Sequence, residues 1–416
     1  MKIIHFADVH LGMENYGKIN SKTGLNSRLD DFLKSFDTIV QYALSKKVDL
    51  AAFAGDAYKT RDPSPTYQRE FSKRIYQIAS AGIPVVMVVG NHDFPNAIGK
   101  ADTLEIFPTL NVPNITIFQK PDIKIIKTKS GPIQVAGLPW LTRSQLLTNK
   151  EFTRGTSKEL NELAGQKITE KVEYLSSRVN KKLPSILIAH ITVENAVYGT
   201  ERQVMIGSEP IVSLASLRQS NFNYVALGHL HKYQEIINPP TGGPHTIYSG
   251  AIERVDFGEE HEDKGFVTIK IAQENNKLKI KTNFIKLDSR PFITIKTKIS
   301  ESDTNPTATI ISEIKKHNIK DAVVKVIINI SNEQSPQVEE GKIREALKTA
   351  NFIAAINKEI QQADRISLDN GFSDELLSLS TVGMLEKYLK SKKIKSPQIE
   401  ILKKETEKLL EEIALS

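Results

Sequence analysis

Residues 83–93 read IPVVMVVGNHD, and this stretch decides the fold class. The apolar run Ile83–Val89 is rich in β-branched residues, which is typical of a strand that is buried on both faces. Gly90 ends the run, and the polar residues Asn91, His92 and Asp93 follow it directly. Open α/β sheets place their ligand-binding loops at such strand ends, so the stretch predicts an α/β domain with a site at one sheet edge.

The same pattern of a short apolar run followed by polar residues occurs at four other places. The polar segments are Asp8-Val9-His10, Gly55-Asp56, Ala189-His190 and Gly228-His229-Leu230-His231. Strands are predicted at Lys2–Ala7, Asp49–Phe53, Pro84–Val89, Ile133–Ala136, Ile186–Ala189, Tyr224–Leu227, Thr246–Tyr248 and Phe266–Ile271, with amphipathic helices at Leu29–Ser45, Thr66–Ala81 and Lys158–Lys182. Strand–helix alternation predicts a layered α/β core over residues 1–285, and the close spacing of the later strands indicates partly antiparallel pairing.

The remainder of the chain divides into two smaller parts. Residues 290–360 are predicted to form a small α+β domain, with strands Phe292–Lys298, Ala322–Ile330 and Phe352–Ile356 and helices Thr307–His317 and Val338–Ala350. Residues 361–370 are polar and indicate a linker, and residues 372–416 are predicted to form a helical hairpin. In its second helix a stripe of Ile399, Leu402, Thr406, Leu409 and Ile413 recurs at spacings of three and four, as in a coiled-coil seam. The pattern fits packing on the protein's own surface as well as docking of a partner helix.

Composition excludes several classes of protein. The 416 residues contain no Cys, which rules out disulfides, thiolate metal sites and iron–sulfur clusters. No apolar run approaches the ~18 residues of a membrane span, and an acidic residue stands at position 8, so we expect a cytoplasmic protein with no membrane partner. The net charge of +7 favours polyanionic partners such as nucleic acid.

The polar segments contain the residue types of a binuclear metal centre. Asp8 and His10, like His229 and His231, are two apart in extended chain and point to the same side. Imidazole nitrogens with carboxylate oxygens suit Mn²⁺, Fe²⁺ or Zn²⁺. The potential ligands are too many for one ion and fit two, with Asp56 as a bridge: Asp8, His10, Asp56, Asn91, His190, His229 and His231. Five of the nine histidines fall in these segments, and such a centre can clamp a phosphate ester.

The five segments, in this order, resemble the calcineurin-like metallophosphoesterase superfamily, whose core is a two-sheet sandwich flanked by helices. More narrowly, Gly55–Pro65, Tyr198–Arg202 and Tyr248–Glu260 are similar to the SbcD-type nuclease subunits of bacterial SbcCD double-strand-break repair complexes. The resemblance implies two divalent ions, expected to be Mn²⁺. Asp8, His10 and His231 would hold one ion, Asn91, His190 and His229 the other, and Asp56 would bridge them.

The resemblance also implies the activity. It is Mn²⁺-dependent hydrolysis of DNA phosphodiester bonds, with 3′→5′ exonuclease action on double strands and endonuclease action on single strands and hairpins. His92 would stabilise the transition state or protonate the leaving oxygen, and Asp93 would orient His92. Archaeal and eukaryotic relatives carry a second histidine three residues after the bridging Asp, where this chain has Lys59. Lys59, Arg61 and Ser64 are candidate DNA contacts, although the loop from Arg61 to Pro65 also fits an ordinary surface turn.

The family pattern predicts the partners too. Thr66–Ala81 and the helix around Lys100–Phe107 would form a homodimer, with Leu104, Ile106 and Phe107 as candidates for the interface or the core. The 290–360 unit would cap the active site, and the 372–416 hairpin would bind the coiled coil of an SbcC-type SMC-like ATPase, giving a heterotetramer. ATP use would belong to the partner, because the chain has no Gly-x-x-x-x-Gly-Lys-Ser/Thr loop. Two alternatives stay open: a small-molecule phosphodiesterase or phosphatase on the same metal core, and a metal-free scaffold that binds DNA and a partner.

Overall fold

A computed structural model describes residues 1–21, 24–95, 100–148, 151, 156–199, 209–238, 242–274, 277–361, 381–391 and 396–414. In chain order the strands in these ranges are β1 (Lys2–Phe6), β2 (Leu50–Phe53), β3 (Val85–Val88), β4 (Ile115–Phe118), β5 (Asp122–Thr128), β6 (Gly131–Leu138), β7 (Ser185–His190), β8 (Thr192–Val193), β9 (Ile211–Val212), β10 (Tyr224–Gly228), β11 (Gln234–Ile237), β12 (His245–Tyr248), β13 (Gly265–Glu274), β14 (Lys277–Lys286), β15 (Phe292–Lys298), β16 (Val323–Ser331) and β17 (Phe352–Gln361). The helices are α1 (Ser27–Lys46), α2 (Pro65–Ser80), α3 (Ile106–Thr109), α4 (Arg143–Leu146), α5 (Ser157–Ser177), α6 (Leu214–Arg218), α7 (Pro306–Ile314), α8 (Glu340–Ala346), α9 (Thr381–Ser391) and α10 (Ser396–Ala414).

Two six-stranded mixed sheets form the layered core. Their strand orders are β14-β13-β1-β2-β3-β4 and β11-β12-β10-β7-β6-β5. The central strands run parallel, while β13, β14, β11 and β5 pair antiparallel with their neighbours. This confirms the predicted α/β class with a two-sheet sandwich, and the antiparallel pairs include the predicted late strand β13.

Alternation along β1 shows how the layers are built. Ile4 and Phe6 face α1 and α2 on the outside, where they join a cluster with Phe36 and Phe71. Ile3 on the opposite face packs in the layer between the two sheets. Because a strand's side chains alternate between its faces, one short apolar run supplies two cores at once. Helix α5 covers the outer face of the second sheet in the same way.

Strands β15, β16 and β17 form a third sheet, in which all three strands are parallel in the order β15-β16-β17. Helices α7 and α8 pack on one face of this sheet and give it a core of its own. The Arg290 side chain ties it to the large core, since Nε donates to Asp31 Oδ2 at 2.6 Å. The helix predicted over Val338–Ala350 is confined to α8, while the last strand runs on to Gln361.

Helices α9 and α10 form the described part of the predicted hairpin, and Lys403 Nζ lies 2.8 Å from Glu386 Oε2 between them. Ile399 is buried, but Leu402 of the predicted stripe is 43% exposed. Gln361, the first residue of the predicted linker, belongs to β17, while residues 362–380 lie outside the described residues, as do the side chains of Leu409 and Ile413.

The helix predicted around Lys100–Phe107 is not formed as expected, because the described part of this region contains only the short helix α3. Leu104 and Phe107 belong to the core, whereas Ile106 is 50% exposed. Within the described residues, no helix combines the length and the apolar character that crossing a bilayer requires.

Candidate metal centre

The predicted polar segments meet at one edge of the sandwich. Strands β1, β2 and β3 are parallel neighbours in one sheet, and β7 and β10 are parallel neighbours in the other. Contacts between the sheets show that all five strands end on the same side, since Asn91 Oδ1 lies 2.8 Å from His190 Nε2 and 3.0 Å from His229 Nδ1. The loops after β1 and β2 are joined directly, since Asp8 N donates to Gly55 O at 3.0 Å and His10 N donates to Asp56 O at 3.2 Å.

Four of the predicted ligands have an unusual backbone conformation. The φ angles of Asp8, His10, Asp56 and His229 are 51°, 44°, 61° and 100°. Left-handed backbone is uncommon for residues other than glycine, and each such position costs about 1–3 kcal/mol unless the surroundings hold it. Strained backbone is thus concentrated at this edge, where it sets the positions of the ligand side chains.

Two glycines allow the loops to approach this closely. A Cβ atom on Gly90 would lie 2.1 Å from Asp56 Oδ1, and one on Gly228 would lie 2.1 Å from Ala54 O. Only glycine fits where another backbone or a ligand carboxylate comes so near. The glycines of the Gly-Asn-His-Asp and Gly-His-Leu-His segments are thus required by packing beneath the site.

The structure brings the seven predicted ligands into two groups that meet at Asp56. In one group, Nε2 of His10 lies 3.0 Å from Nε2 of His231, and Asp8, His10 and His231 each offer a ligand atom within 4.8 Å of those of the other two. In the other, Asn91 Oδ1 lies 2.8 Å from His190 Nε2 and 3.0 Å from His229 Nδ1.

The Asp56 carboxylate stands between these groups. Its Oδ2 is 3.7 Å from His10 Nε2 and 3.5 Å from His190 Nε2, so one oxygen faces both sets of ligands. Its Oδ1 accepts a hydrogen bond from His92 N at 2.9 Å, which fixes the orientation of the carboxylate. The position is the one that a bridging ligand requires.

Burial and mutual charge set the protonation of the group. Burial would raise the pKa of Asp56, but the charge and hydrogen bond of His190 outweigh it and lower the pKa. Burial likewise disfavours the charged form of His190, yet the Asp56 carboxylate raises its pKa to about 9. Asp8 is fully buried, and burial raises its pKa to about 6 against the opposing charges of the nearby histidines. A divalent cation would replace the protons as the partner of these buried carboxylates.

The donor set fits divalent transition metals. It combines two carboxylates, one amide oxygen and four imidazoles, which suit Mn²⁺, Fe²⁺ or Zn²⁺ better than Ca²⁺. The His190 ring presents Nε2 to the site because its Nδ1 donates to Ala54 O at 2.7 Å. The protein therefore holds a candidate site for divalent metal at this edge.

His92 and Asp93 differ from their predicted relationship. The prediction that Asp93 orients His92 is wrong, because His92 Nδ1 donates to the carbonyl of Lys59 at 2.6 Å. The buried Asp93 carboxylate instead accepts from the backbone N–H groups of Asp56, Ala57 and Gly90, at 2.9, 3.0 and 3.1 Å. Asp93 thus holds the ligand loops together, while the Lys59 backbone orients the His92 ring.

The candidate DNA contacts lie at the rim. Arg61 is exposed, and its Nε donates to Asn91 O at 3.1 Å, which places the guanidinium beside the ligand loop. Lys59 is half-buried next to His92. Ser64 is exposed and caps α2 by accepting from Tyr67 N, with Pro65 in the first turn. The cap explains Ser64 without a ligand.

Sequence reasoning missed three side chains that contact the ligand histidines. The ring of Trp140 lies 5.0 Å from that of His229. Glu209 Oε2 is 2.8 Å from His229 Nε2, and Glu259 Oε1 is 2.8 Å from His231 Nδ1. Glu259 falls in the Tyr248–Glu260 segment that the sequence singled out, whereas Trp140 and Glu209 gave no such signal.

Comparison with known proteins agrees with this geometry. The SbcD subunit of the nuclease SbcCD from Staphylococcus epidermidis is 29% identical over 280 residues, which are 67% of this chain and 67% of that protein. Among solved structures, a dimetal phosphatase from Danio rerio aligns with a TM-score of 0.39 and 12% identity, covering 69% of this chain and 98% of the phosphatase chain. The sequence model of the calcineurin-like phosphoesterases matches residues 1–233. The chain belongs to the calcineurin-like phosphoesterase family.

Proposed function

We propose that this protein is an SbcD-type DNA nuclease that hydrolyses phosphodiester bonds with two divalent ions, Mn²⁺ being the expected metal. The observation that carries the proposal is the position of Asp56 Oδ2, which faces one set of ligands at 3.7 Å and the other at 3.5 Å. The similarity to the SbcD subunit of an SbcCD nuclease supports DNA as the substrate. Asp8, His10 and His231 would hold one ion and Asn91, His190 and His229 the other, with Asp56 shared.

The ions and the protein side chains have separate tasks. When bound, the two ions activate water and neutralise the negative charge that grows on the phosphate. His92 donates through Nδ1 to Lys59 O, so its Nε2 is the nitrogen available to the substrate. In the imidazolium form, which carries a proton on Nε2 as well as on Nδ1, His92 would stabilise the transition state or pass the Nε2 proton to the departing sugar oxygen and become neutral.

Arg61 and Lys59 supply positive charge beside the ligand loops. Arg61 is tethered to Asn91 O, which keeps its guanidinium within the reach of a phosphate that approaches the metal edge. Contacts of this kind orient a DNA backbone without reading its sequence. They fit a nuclease that acts without sequence specificity, and the activities proposed for it are 3′→5′ exonuclease action on duplex ends and endonuclease action on single strands and hairpins.

Two surfaces fit the proposed partners. Tyr76, Ile106 and Leu110 are half or more exposed around a shallow apolar hollow of about 350 Å³ beside α2, where a second copy would bind to form a homodimer. Ile401 and Leu402 are exposed on α10, which supports docking of an SbcC-type SMC-like ATPase on the terminal hairpin and assembly of a heterotetramer. The unit at 290–360 would cap the active site, and the complex would work in double-strand-break repair in the cytoplasm.

A cleavage assay with the full chain tests the proposal. End-labelled linear duplex, hairpin DNA and single-stranded DNA are incubated with Mn²⁺, alongside bis(p-nitrophenyl) phosphate and a cyclic nucleotide as small phosphodiesters. We expect stepwise shortening from 3′ ends and nicking of hairpins, with loss of both on chelation and in Asp56→Asn. Efficient hydrolysis of the small phosphodiesters with intact DNA would identify a small-molecule phosphodiesterase instead. Binding of DNA without any hydrolysis would support the scaffold alternative.

A further inference from the structure

The two histidines of the Gly-His-Leu-His segment present different nitrogens to the metal edge. His231 directs Nε2 toward His10 at 3.0 Å, whereas His229 directs Nδ1 toward Asn91 Oδ1 at 3.0 Å. In each ring the opposite nitrogen meets a glutamate. His231 Nδ1 lies 2.8 Å from Glu259 Oε1, and His229 Nε2 lies 2.8 Å from Glu209 Oε2.

A carboxylate accepts hydrogen bonds and donates none, so each glutamate determines which ring nitrogen carries the proton. Glu259 places the hydrogen of His231 on Nδ1 and leaves a lone pair on Nε2. Glu209 does the reverse for His229. Two residues of identical type, two apart in sequence, can therefore serve two different ions.

Glu259 is held much more firmly than Glu209. The side chain of Glu259 is fully buried, and its Oε2 accepts from Val255 N at 2.8 Å and pairs with Lys264 Nζ at 2.9 Å. Lys264 is also fully buried, and the same Nζ donates to the carbonyl of His231 at 3.1 Å. The side chain of Glu209 is 14% exposed and contacts Thr192 Oγ1 at 3.2 Å.

These contacts close a ring around His231. Lys264 Nζ donates to the main-chain carbonyl of His231 and pairs with the Glu259 carboxylate, and the same carboxylate accepts from the His231 imidazole. A buried ion pair of this kind is costly to desolvate and contributes little net stability, which argues for a role other than stabilising the fold. A carboxylate behind a ligand imidazole fixes its ring and increases its basicity toward a metal.

We propose that Glu259, held in place by Lys264, is a positioning residue for His231 and so controls the affinity of the ion shared by Asp8, His10 and His231. The proposal rests on the proposed two-metal function. Removing the Glu259 charge should weaken binding of this ion by about 10- to 100-fold and leave the Asn91–His190–His229 ion much less affected.

Glu262 provides a matched control. Its Oε2 pairs with the same Lys264 Nζ at 2.9 Å, and the contacts described for its side chain do not include His231. Glu262→Gln therefore tests the loss of one charge from the same buried cluster without the loss of the imidazole contact. In Glu259→Gln the buried ammonium of Lys264 loses the carboxylate of Glu259 as a partner. The double variant Glu259→Gln/Lys264→Met removes both charges of this pair, so it tests the role of Glu259 without leaving that ammonium in the protein.

The test measures Mn²⁺ binding by the paramagnetic resonance signal of the free ion, with quenching of Trp140 fluorescence as a second readout, since Trp140 is the single Trp of the chain. For the wild type and Glu262→Gln we expect two ions per chain with similar affinities. In Glu259→Gln and in the double variant one ion should bind about 10- to 100-fold more weakly, with metal-free unfolding midpoints close to that of Glu262→Gln.

Three results would contradict the proposal, and they are distinguishable. If the wild type binds two ions and both Glu259 variants bind them equally well, Glu259 has no positioning role, although the proposed function stands. If the wild type binds no pair of ions, the two-metal function fails and this inference fails with it. Equal weakening of both ions in Glu259→Gln and Glu262→Gln would assign the effect to the fold.

Discussion

The metal edge and the layer directly beneath it are built on opposite principles. The layer consists of fully buried apolar side chains such as Val86, Ile186 and Ile247, contributed alternately by the two sheets. The edge a few residues further along the same strands contains buried carboxylates, buried histidines and left-handed backbone. The apolar layer stabilises the fold, whereas the strained backbone and buried polar groups of the edge destabilise it. Substitutions in the layer should therefore lower stability and leave activity unchanged, and substitutions at the edge should lower activity while the chain still folds.

The largest effect is expected at Asp56. Asp56→Asn removes the charge that faces both ligand sets, so Mn²⁺-dependent cleavage should fall to background. The metal-free chain should still fold, because the isosteric amide can keep the acceptor for His92 N. Cleavage and metal-free thermal unfolding are measured together. Cleavage at the wild-type rate by this variant would show that the Asp56 carboxylate is not required for the reaction.

The next effect is expected at His92. His92→Gln should slow cleavage by about 10²–10⁴-fold, the usual contribution of a positioned proton donor, while two Mn²⁺ ions still bind. Single-turnover cleavage at saturating Mn²⁺ measures the rate, and Trp140 quenching measures the binding. Loss of an ion in this variant would show that His92 is a ligand, an alternative raised by its closeness to His10 and Asp56.

A substitution in the apolar layer should do the reverse. Ile186 is fully buried four residues before His190, and Ile186→Ala should lower the free energy of unfolding by about 2–5 kcal/mol. Cleavage by the folded fraction and Mn²⁺ affinity should stay as in the wild type. Urea unfolding gives the stability, and a loss of metal affinity at full folding would show that the two regions are not separable.

His5 is a polar exception inside the layer. Its Nε2 lies 3.1 Å from Leu227 O and its Nδ1 lies 2.9 Å from the Tyr224 hydroxyl, and burial lowers its pKa to about 3 against the opposing bond to Leu227. The folded-state pKa of His5 lies below the unfolded value of about 6.5. The contribution of the neutral His5 to the free energy of unfolding is therefore fully present above pH 6.5 and is lost progressively as the pH falls toward 3.

His5→Gln offers a non-titrating control, since an amide can both accept from Tyr224 and donate to Leu227. Between pH 7 and pH 5 the metal-free wild type should lose about 2 kcal/mol more than this variant. Urea unfolding in a chelator at both pH values measures the difference. Parallel pH profiles would mean that His5 titrates normally in the folded state.

The smallest effect is expected at the rim. Arg61→Ala should weaken DNA binding about equally for all sequences and reduce the slope of log K against log salt by about one, the signature of one lost phosphate contact. Lys181→Ala provides an exposed lysine away from the ligand loops for comparison. An unchanged slope in Arg61→Ala would place the DNA elsewhere.

The sequence was most informative where chemistry and strand ends coincide. Asp8 and Asp56 follow neighbouring parallel strands of one sheet, so the topology of that sheet brings them together, and His190 joins them from the end of β7 in the facing sheet. The error at Asp93 has a clear origin, because the sequence shows a carboxylate beside His92 but not the three backbone N–H groups that it satisfies. Trp140 and Glu209 reach the site from segments with no motif of their own.

Two of the missed strands, β5 and β14, share a physical cause. Strand β5 reads DIKIIKT and β14 reads KLKIKTNFIK, so charged residues interrupt both runs. Both lie at sheet edges, where one side of the strand has no sheet neighbour and lysine side chains reach solvent. A continuous apolar run identifies central strands, but it does not identify edge strands whose sequence is interrupted by charged residues.

The most direct test of the central claim is a crystal structure of the full chain soaked in Mn²⁺, with anomalous diffraction used to locate the metal. We expect two peaks about 3.5–4 Å apart, one beside Asp8, His10 and His231 and the other beside Asn91, His190 and His229, with the Asp56 carboxylate contacting both. A single peak away from Asp56, or no peak at this edge, would contradict the account.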